Sequence, residues 1–322
     1  MWDYETIHQP ATSVAERNIN MQVKTIEKNI VKKLEEWINT INDEDLKKKL
    51  KKNILVSGGS ITSMFLGEDV NDYDVYIKDK NTLIDLVKYY TRQFSEITIL
   101  NGDDRDRLLE DLEDKYHGAD SEDIKNIYAI SVRNLKPDQV KLFFESKSGG
   151  IVVNEDKKEE DNAYLPKFFS PNAISLFNKV QIVIRFHGDD KQIHSTFDFI
   201  HATNYFTFED GLVTNKEALE SILTKQLKYQ GSLYPLTTII RVRKFIKRGW
   251  NINAGELLKT MFQISQLDLT NPDVLEEQLI GVDVAYFSKL IEILRGVPKE
   301  SLTSTYLNTL IDKVFGAAEL EE

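Results

Sequence analysis

From Ile19 to Ile41, apolar residues fall at Ile19, Val23, Ile26, Ile30, Leu34, Ile38 and Ile41. Steps of three and four place them on one face of an amphipathic helix. Asn42-Asp43-Glu44-Asp45 reads as a break and restart. It leads into Leu46-Lys47-Lys48-Lys49-Leu50-Lys51-Lys52, whose lysines form either a solvated helix face or a phosphate-attracting rim. The pattern then shortens its period. Asn53-Ile54-Leu55-Val56-Ser57 is a β-rich run that stops at Gly58-Gly59. Ser60 can cap a helix through Leu66, which Gly67 would end. Asp72-Tyr73-Asp74-Val75-Tyr76-Ile77 alternates polar with apolar, as a strand does. A helix is expected around Thr82 to Phe94 and a strand at Ile97 to Leu100. A hairpin is expected within Val140–Val153 around Ser148-Gly149-Gly150, with further strands at Ala173–Leu176, Val180–Phe186 and Thr196–Ile200. Beyond about Lys216 the pattern is helical almost to the end.

These elements predict an α+β fold, with a small mixed sheet between a helical N-terminal segment (1–50) and a helical C-terminal domain (216–322). The core would span 51–215. Residues 101–126 hold ten Asp or Glu against four Lys or Arg and read as an acidic insertion; 154–162 form a second charged stretch.

Charge and composition narrow the chemistry. The chain has no cysteine, which excludes thiolate metal sites, disulfides and cysteine nucleophiles. A formal net charge of −11 argues against a protein that coats nucleic acid along its whole surface, though not against a local basic cleft. No apolar run reaches the length of a membrane span, and the expected location is the cytoplasm.

Asp-x-Asp pairs are common in so acidic a chain, and Asp43/Asp45 and Asp104/Asp106 share the spacing. Asp72/Asp74 differs by its context. On a strand both carboxylates face one way while Tyr73, Val75 and Ile77 face the other. Two such neighbours repel, and a divalent cation relieves them best. Gly58-Gly59-Ser60 sits at a strand-to-helix turn, where bare backbone and helix N–H groups can meet a triphosphate. The third carboxylate such a centre needs is expected from Asp198, which alternates with Phe197 and Phe199. His187, His194 and His201 are not expected to form a metal site, and Ser57 and Thr62 lack an evident His/Asp partner set for a hydrolase triad. Arg241-Val-Arg243-Lys244-Phe-Ile-Lys247-Arg248 puts Arg241, Lys244 and Arg248 on one helix face, where they could grip phosphate while Phe245 stacks on a base. The same spacing also suits an amphipathic helix with basic solvent faces. Arg185 could reach phosphate or be ion-paired.

Gly58-Gly59-Ser60-Ile61-Thr62-Ser63-Met64-Phe65-Leu66-Gly67, followed by Asp72-x-Asp74, resembles the signature of tRNA CCA-adding enzymes and bacterial poly(A) polymerases, members of the DNA-polymerase-β-like nucleotidyltransferase superfamily. More weakly, Asp198-Phe199-Ile200-His201-Ala202, Gly211-Leu212-Val213 and the basic stretch with Gly249-Trp250 are similar to later segments of those enzymes. The likeness spans roughly residues 50–255. Their Arg-Asp after the glycine turn is Thr62-Ser63 here, a Glu-Asp-x-x-Arg motif is missing, and Thr237 and Ile240 stand where they carry neck arginines, so CCA addition itself is not implied. Asn71-Asp72-Tyr73-Asp74-Val75-Tyr76 and Arg243 to Trp250 are also similar to phage-encoded proteins of nucleotidyltransferase type.

The resemblance implies that Gly58 and Gly59 meet the phosphates of an NTP and that Asp72 and Asp74 bind magnesium; with Asp198 as the third carboxylate and Ser60 beside the glycines, a site for two magnesium ions is expected. The expected reaction is transfer of NMP to a hydroxyl, with an RNA 3′-end favoured, a protein hydroxyl possible, and Arg241, Lys244 and Arg248 on the acceptor or phosphate. A catalytically silent scaffold of the same fold is the competing reading.

Overall fold

The computed structural model describes residues 23–111, 122–145, 150–154, 164–269 and 271–278, with scattered positions between 293 and 310. The expected amphipathic helix is α1 (Val23–Asn39), and the residues before it lie outside the described set. Ile26, Ile30, Leu34, Trp37 and Ile38 are fully buried along its inner face. Asp43 caps α2 (Glu44–Asn53) by accepting from the N–H groups of Asp45 and Leu46, at 3.0 and 2.9 Å. The lysines of α2 form the solvated face: Lys47, Lys48 and Lys49 pair with Glu44, Asp45 and Asp85.

Strand β1 (Ile54–Ser57) is buried throughout and runs into α3 (Gly59–Leu66), which Gly67 ends in the left-handed conformation, as its lack of Cβ permits. After β2 (Tyr73–Ile77), Asp79 caps α4 (Lys80–Thr91) through Thr82. Next come β3 (Ile97–Asn101), α5 (Arg105–Glu110), α6 (Glu122–Arg133), β4 (Val140–Phe144), β5 (Ile151–Val152), β6 (Pro166–Ser170), β7 (Ala173–Leu176) and β8 (Val180–His187). A short helix α7 (Asp190–His194) leads on to β9 (Tyr205–Thr207) and β10 (Gly211–Val213).

Eight strands form one mixed sheet in the order β10-β9-β1-β2-β8-β7-β6-β5. Only β2 and β8 run parallel in it; β1 pairs antiparallel with both β2 and β9. The class is therefore α+β, as the element pattern predicts. One face of the sheet, through Ile54, Val56, Tyr73, Val75, Ile77, Ile182 and Ile184, shares a core with the inner faces of α1 to α4. The other face carries the alternate residues of the same strands.

Two expectations fail locally. The segment 140–153 is not a hairpin, because β4 pairs with β3 and β5 with β6; Ser148 and Gly149 lie outside the described residues. Within the acidic stretch, α5 and the start of α6 are helical, while 112–121 also lie outside that set, as do 155–163 of the second charged stretch. The β3–β4 pair builds a satellite cluster with α6 from Leu100, Tyr128, Val132, Leu135 and Phe143. Second, Thr196–Ile200 is no strand. Its alternation is met by a single bridge, Phe199 to Tyr229, around a bend at Asp198.

The chain divides into two compact units. The first runs to His194 and resumes over Ala202–Ala218; the second joins Ser195–His201 to residues from Leu219 onward. The second unit contains most of α8 (Lys216–Thr224), a short parallel pair of β11 (Gln226–Leu227) with β12 (Asn251–Ile252), then α9 (Pro235–Lys247), α10 (Ala254–Ile264) and α11 (Pro272–Gln278). No described helix is long and apolar enough to cross a membrane.

In the first unit, Trp37 is fully buried and its indole N–H donates to Tyr90 Oη at 2.8 Å. Trp37→Ala is expected to cost roughly 3–5 kcal/mol, read as a lower urea midpoint, because it removes a large ring and strands a buried hydroxyl.

Candidate nucleotide and metal site

The turn between β1 and α3 has a conformation that demands glycine. Gly58 lies at φ +96° and ψ −147°, and a Cβ there would stand 3.3 Å from Asp74 Oδ2. A Cβ at Gly59 would meet nothing within 4 Å, so that side of the turn faces open space. No side chain caps α3, which leaves its first-turn N–H groups without the usual side-chain acceptor. Ser60, one residue further on, has a buried hydroxyl with no hydrogen-bond partner among the described residues. Open backbone, an uncapped helix start and an unsatisfied hydroxyl together suit an anion.

The turn is pinned from below. Gly58 N–H donates to the carbonyl of Ala202 at 3.1 Å. Ser57 Oγ stands 2.9 Å from His194 Nε2, 3.0 Å from the Ala202 carbonyl and 2.9 Å from the Asn204 carbonyl. Carbonyls only accept and a serine has one proton, so His194 is the donor to Oγ and carries its proton on Nε2. Burial depresses the basicity of His194 more than nearby Asp190 restores it. Local spacing named no histidine partner for Ser57; the structure supplies one 137 residues away in sequence. Ser57 is fully buried with its hydroxyl committed to carbonyls, so it anchors the turn and is not a nucleophile. Sequence reasoning also missed Asn204, whose Oδ1 accepts from Asn215 N–H while its buried Nδ2 has no partner among the described residues. Its only sequence signal was its proximity to the Asp198–Ala202 segment.

Asp72 stands exposed just before β2, and Asp74 lies half-buried within it. Tyr73, Val75 and Ile77 belong to the helix-covered core, so alternation puts Asp74 on the opposite face. Because β1 and β2 are antiparallel, with Val56 opposite Val75, the end of β1 comes back beside Asp74. Burial, and then the charge of Asp72, push Asp74 up to about 7. An oxygen-only pair that is reluctant to ionise fully fits a hard cation such as magnesium. Among the described residues, no group of three His, Asp or Glu side chains is gathered for a metal.

Asp198 belongs to the second unit and is buried there. Ser232 Oγ donates to its Oδ1 at 2.7 Å, and Arg241 Nη1 pairs with its Oδ2 at 2.5 Å. The candidate third metal ligand and the first candidate phosphate-binding arginine are therefore bound to each other. Lys244 and Arg248 are exposed. Phe245 does not stand out to stack on a base; its ring packs edge-on against His201, with Phe199 and Trp250 alongside. Within that cluster burial pushes His201 down to about 3, helped by Arg248, so it is a neutral packing residue. His187 meets the backbone carbonyl of Asp138, so the three histidines serve three separate roles. Arg185 is buried in the first unit, with its guanidinium over the Phe186 ring.

A family profile described as Gabija anti-defense 2 family protein matches residues 28–225. Gabija anti-defense 2 of Bacillus phage SPbetaL7 is 19% identical over 252 residues, which cover 77% of this chain and 47% of that relative. The chain thus spans about half the length of the curated relative it matches. Among solved structures, a Thermotoga maritima CCA-adding enzyme complexed with tRNA aligns over 81% of this chain and 53% of its own, at 10% identity and a TM-score of 0.35.

Two outcomes follow from this geometry. Folded Asp74 binds its proton more tightly than an unfolded aspartate, so the native state holds the extra proton between pH 3.8 and about 7. Wild-type stability is therefore expected to fall as pH rises through that window and level off above it. Asp74→Asn should lack this decline, as urea titrations at about pH 5 and pH 8 would reveal. Asp198→Ala should destabilise the second unit by roughly 1–3 kcal/mol, at the low end for a broken buried pair because the guanidinium is partly exposed. Asp198→Asn, which still accepts from Ser232, should cost less in the same measurement.

Proposed function

The chain belongs to the Gabija anti-defense 2 family, and on that premise we propose that it opposes a bacterial defence as a metal-dependent nucleotidyltransferase. The reaction joins a hydroxyl oxygen of an acceptor to the α-phosphorus of an NTP and breaks the α–β anhydride to release pyrophosphate. The carrying observation is the approach of Gly58 to Asp74, which sets a bare, uncapped helix start beside a carboxylate pair in one rigid turn.

Gly58 and Gly59 let the triphosphate approach the backbone, and the first N–H groups of α3 with the Ser60 hydroxyl donate to its oxygens. Asp72 and Asp74 would hold magnesium, which supplies charge neutralisation at the phosphates and a more acidic acceptor hydroxyl. The partial protonation of Asp74 near neutral pH means that metal must displace a proton there, so activity should rise with pH through about 7. His194 and Ser57 act by positioning the turn. Lys244 and Arg248 offer exposed charge to an RNA 3′-end, the favoured acceptor, while a protein hydroxyl is the alternative within the same chemistry.

One observation favours a second reading. The carboxylate of Asp198 is already sealed by Ser232 and Arg241, as befits a scaffold that keeps the fold without the reaction. Incubation with magnesium, each α-labelled NTP, RNA and bacterial extract decides between them. The reading expects label on an RNA or protein band with wild type and its loss by at least about a thousandfold in Asp72→Ala/Asp74→Ala. Full labelling by the folded double variant would sink the mechanism, and no label from any nucleotide would favour the scaffold.

A further inference from the structure

The first unit holds a recess of about 530 Å³ on the helix-covered side of β2, away from Asp74. It lies between α1, the end of α3, the loop that follows, and the turn before β8. Two lysines enter it. Lys33 is half-buried; its Nζ lies 3.4 Å from the Asn178 carbonyl and over the rings of Tyr73 and Tyr164, at 5.8 and 5.6 Å. Lys179 Nζ donates to the Val70 carbonyl at 2.9 Å. Among the described residues neither ammonium pairs with a carboxylate, whereas Lys47, Lys49 and Lys80 all do. Carbonyls and ring faces orient a cation without neutralising it.

The backbone supports the same conclusion. Asn178 (φ 60°) and Lys179 (φ 63°) are consecutive left-handed residues, and neither is glycine. A lysine held there is strained, and the strain places it at the rim of this recess. Glu68 and Asp69 line the recess as well. Carboxylates repel a bare anion but accept from hydroxyl groups. A ligand that satisfies both sets carries a negative group and a polyhydroxyl body, and the volume suits a small molecule.

We propose that this recess is a binding site for a sugar phosphate, nucleoside monophosphates included, with the phosphate on Lys33 and Lys179 and a sugar hydroxyl on Asp69. Its occupant presses on Tyr73, the residue between the two candidate metal ligands, from the face opposite Asp74. The site stands whether or not nucleotidyl transfer does.

Isothermal titration of the full chain without divalent metal, using ribose 5-phosphate, AMP and inorganic phosphate as separate probes, tests it. Ribose 5-phosphate or AMP is expected to bind wild type and Asp72→Ala/Asp74→Ala alike, which separates this recess from the nucleotide site. Binding should weaken at least about tenfold in Lys33→Gln/Lys179→Gln, with thermal melting confirming that the variant is folded. Should that variant prove unfolded, Lys179→Gln alone, changed at the exposed rim, should show the weakening. Undiminished affinity in a folded lysine variant, or no binding of any probe at millimolar concentration, would overturn the assignment. Inorganic phosphate binding as tightly as ribose 5-phosphate would overturn its sugar half.

Discussion

Two carboxylates two residues apart, Asp72 just before β2 and Asp74 half-buried within it, resist being charged together, and the first unit is built around holding them there. Strand β2 cannot turn Asp74 away, because Tyr73, Val75 and Ile77 are committed to the core on the other face. Nor can β1 keep its distance, since its antiparallel register brings Gly58 so near Asp74 that a Cβ there would stand 3.3 Å from its carboxylate. Any side chain at 58 would crowd the carboxylate and strain the backbone at once. The raised proton affinity of Asp74 is the electrostatic cost of that arrangement, and a bound cation is the natural means of removing it.

The surroundings keep the turn in place without contributing reactive groups of their own. Ser57, His194 and the carbonyls of Ala202 and Asn204 form a closed hydrogen-bonding set below Gly58. Burial keeps His194 neutral, which suits a donor between a hydroxyl and the protein interior. The second unit has its own polar centre, where Asp198 accepts from Ser232 and Arg241, beside an aromatic cluster of Phe199, His201, Phe245 and Trp250. Chemistry at Asp198 would have to begin by releasing Arg241.

Much of this was legible from residue order. The steps of three and four from Ile26 to Ile38 are the buried face of α1, and the alternation after Asp72 is the two-sidedness of β2. Period alone carries that information, because burial of one face is the only way such a pattern lowers its free energy. The same logic misled at Thr196–Ile200, where alternation over five residues was satisfied by one bridge and a bend. It misled again at Val140–Val153, where β4 and β5, expected to pair with each other, pair instead with β3 and β6.

The sequence by itself determined the α+β class, the glycine turn and the Asp72/Asp74 pair, since each rests on neighbours within a few residues. Only the tertiary structure decided that Ser57 meets His194, that Asp198 is bound to Arg241, and that Phe245 is packed rather than presented. Those contacts join residues dozens of positions apart. Their existence depends on strand register and helix packing, which the whole core sets together and no local spacing encodes.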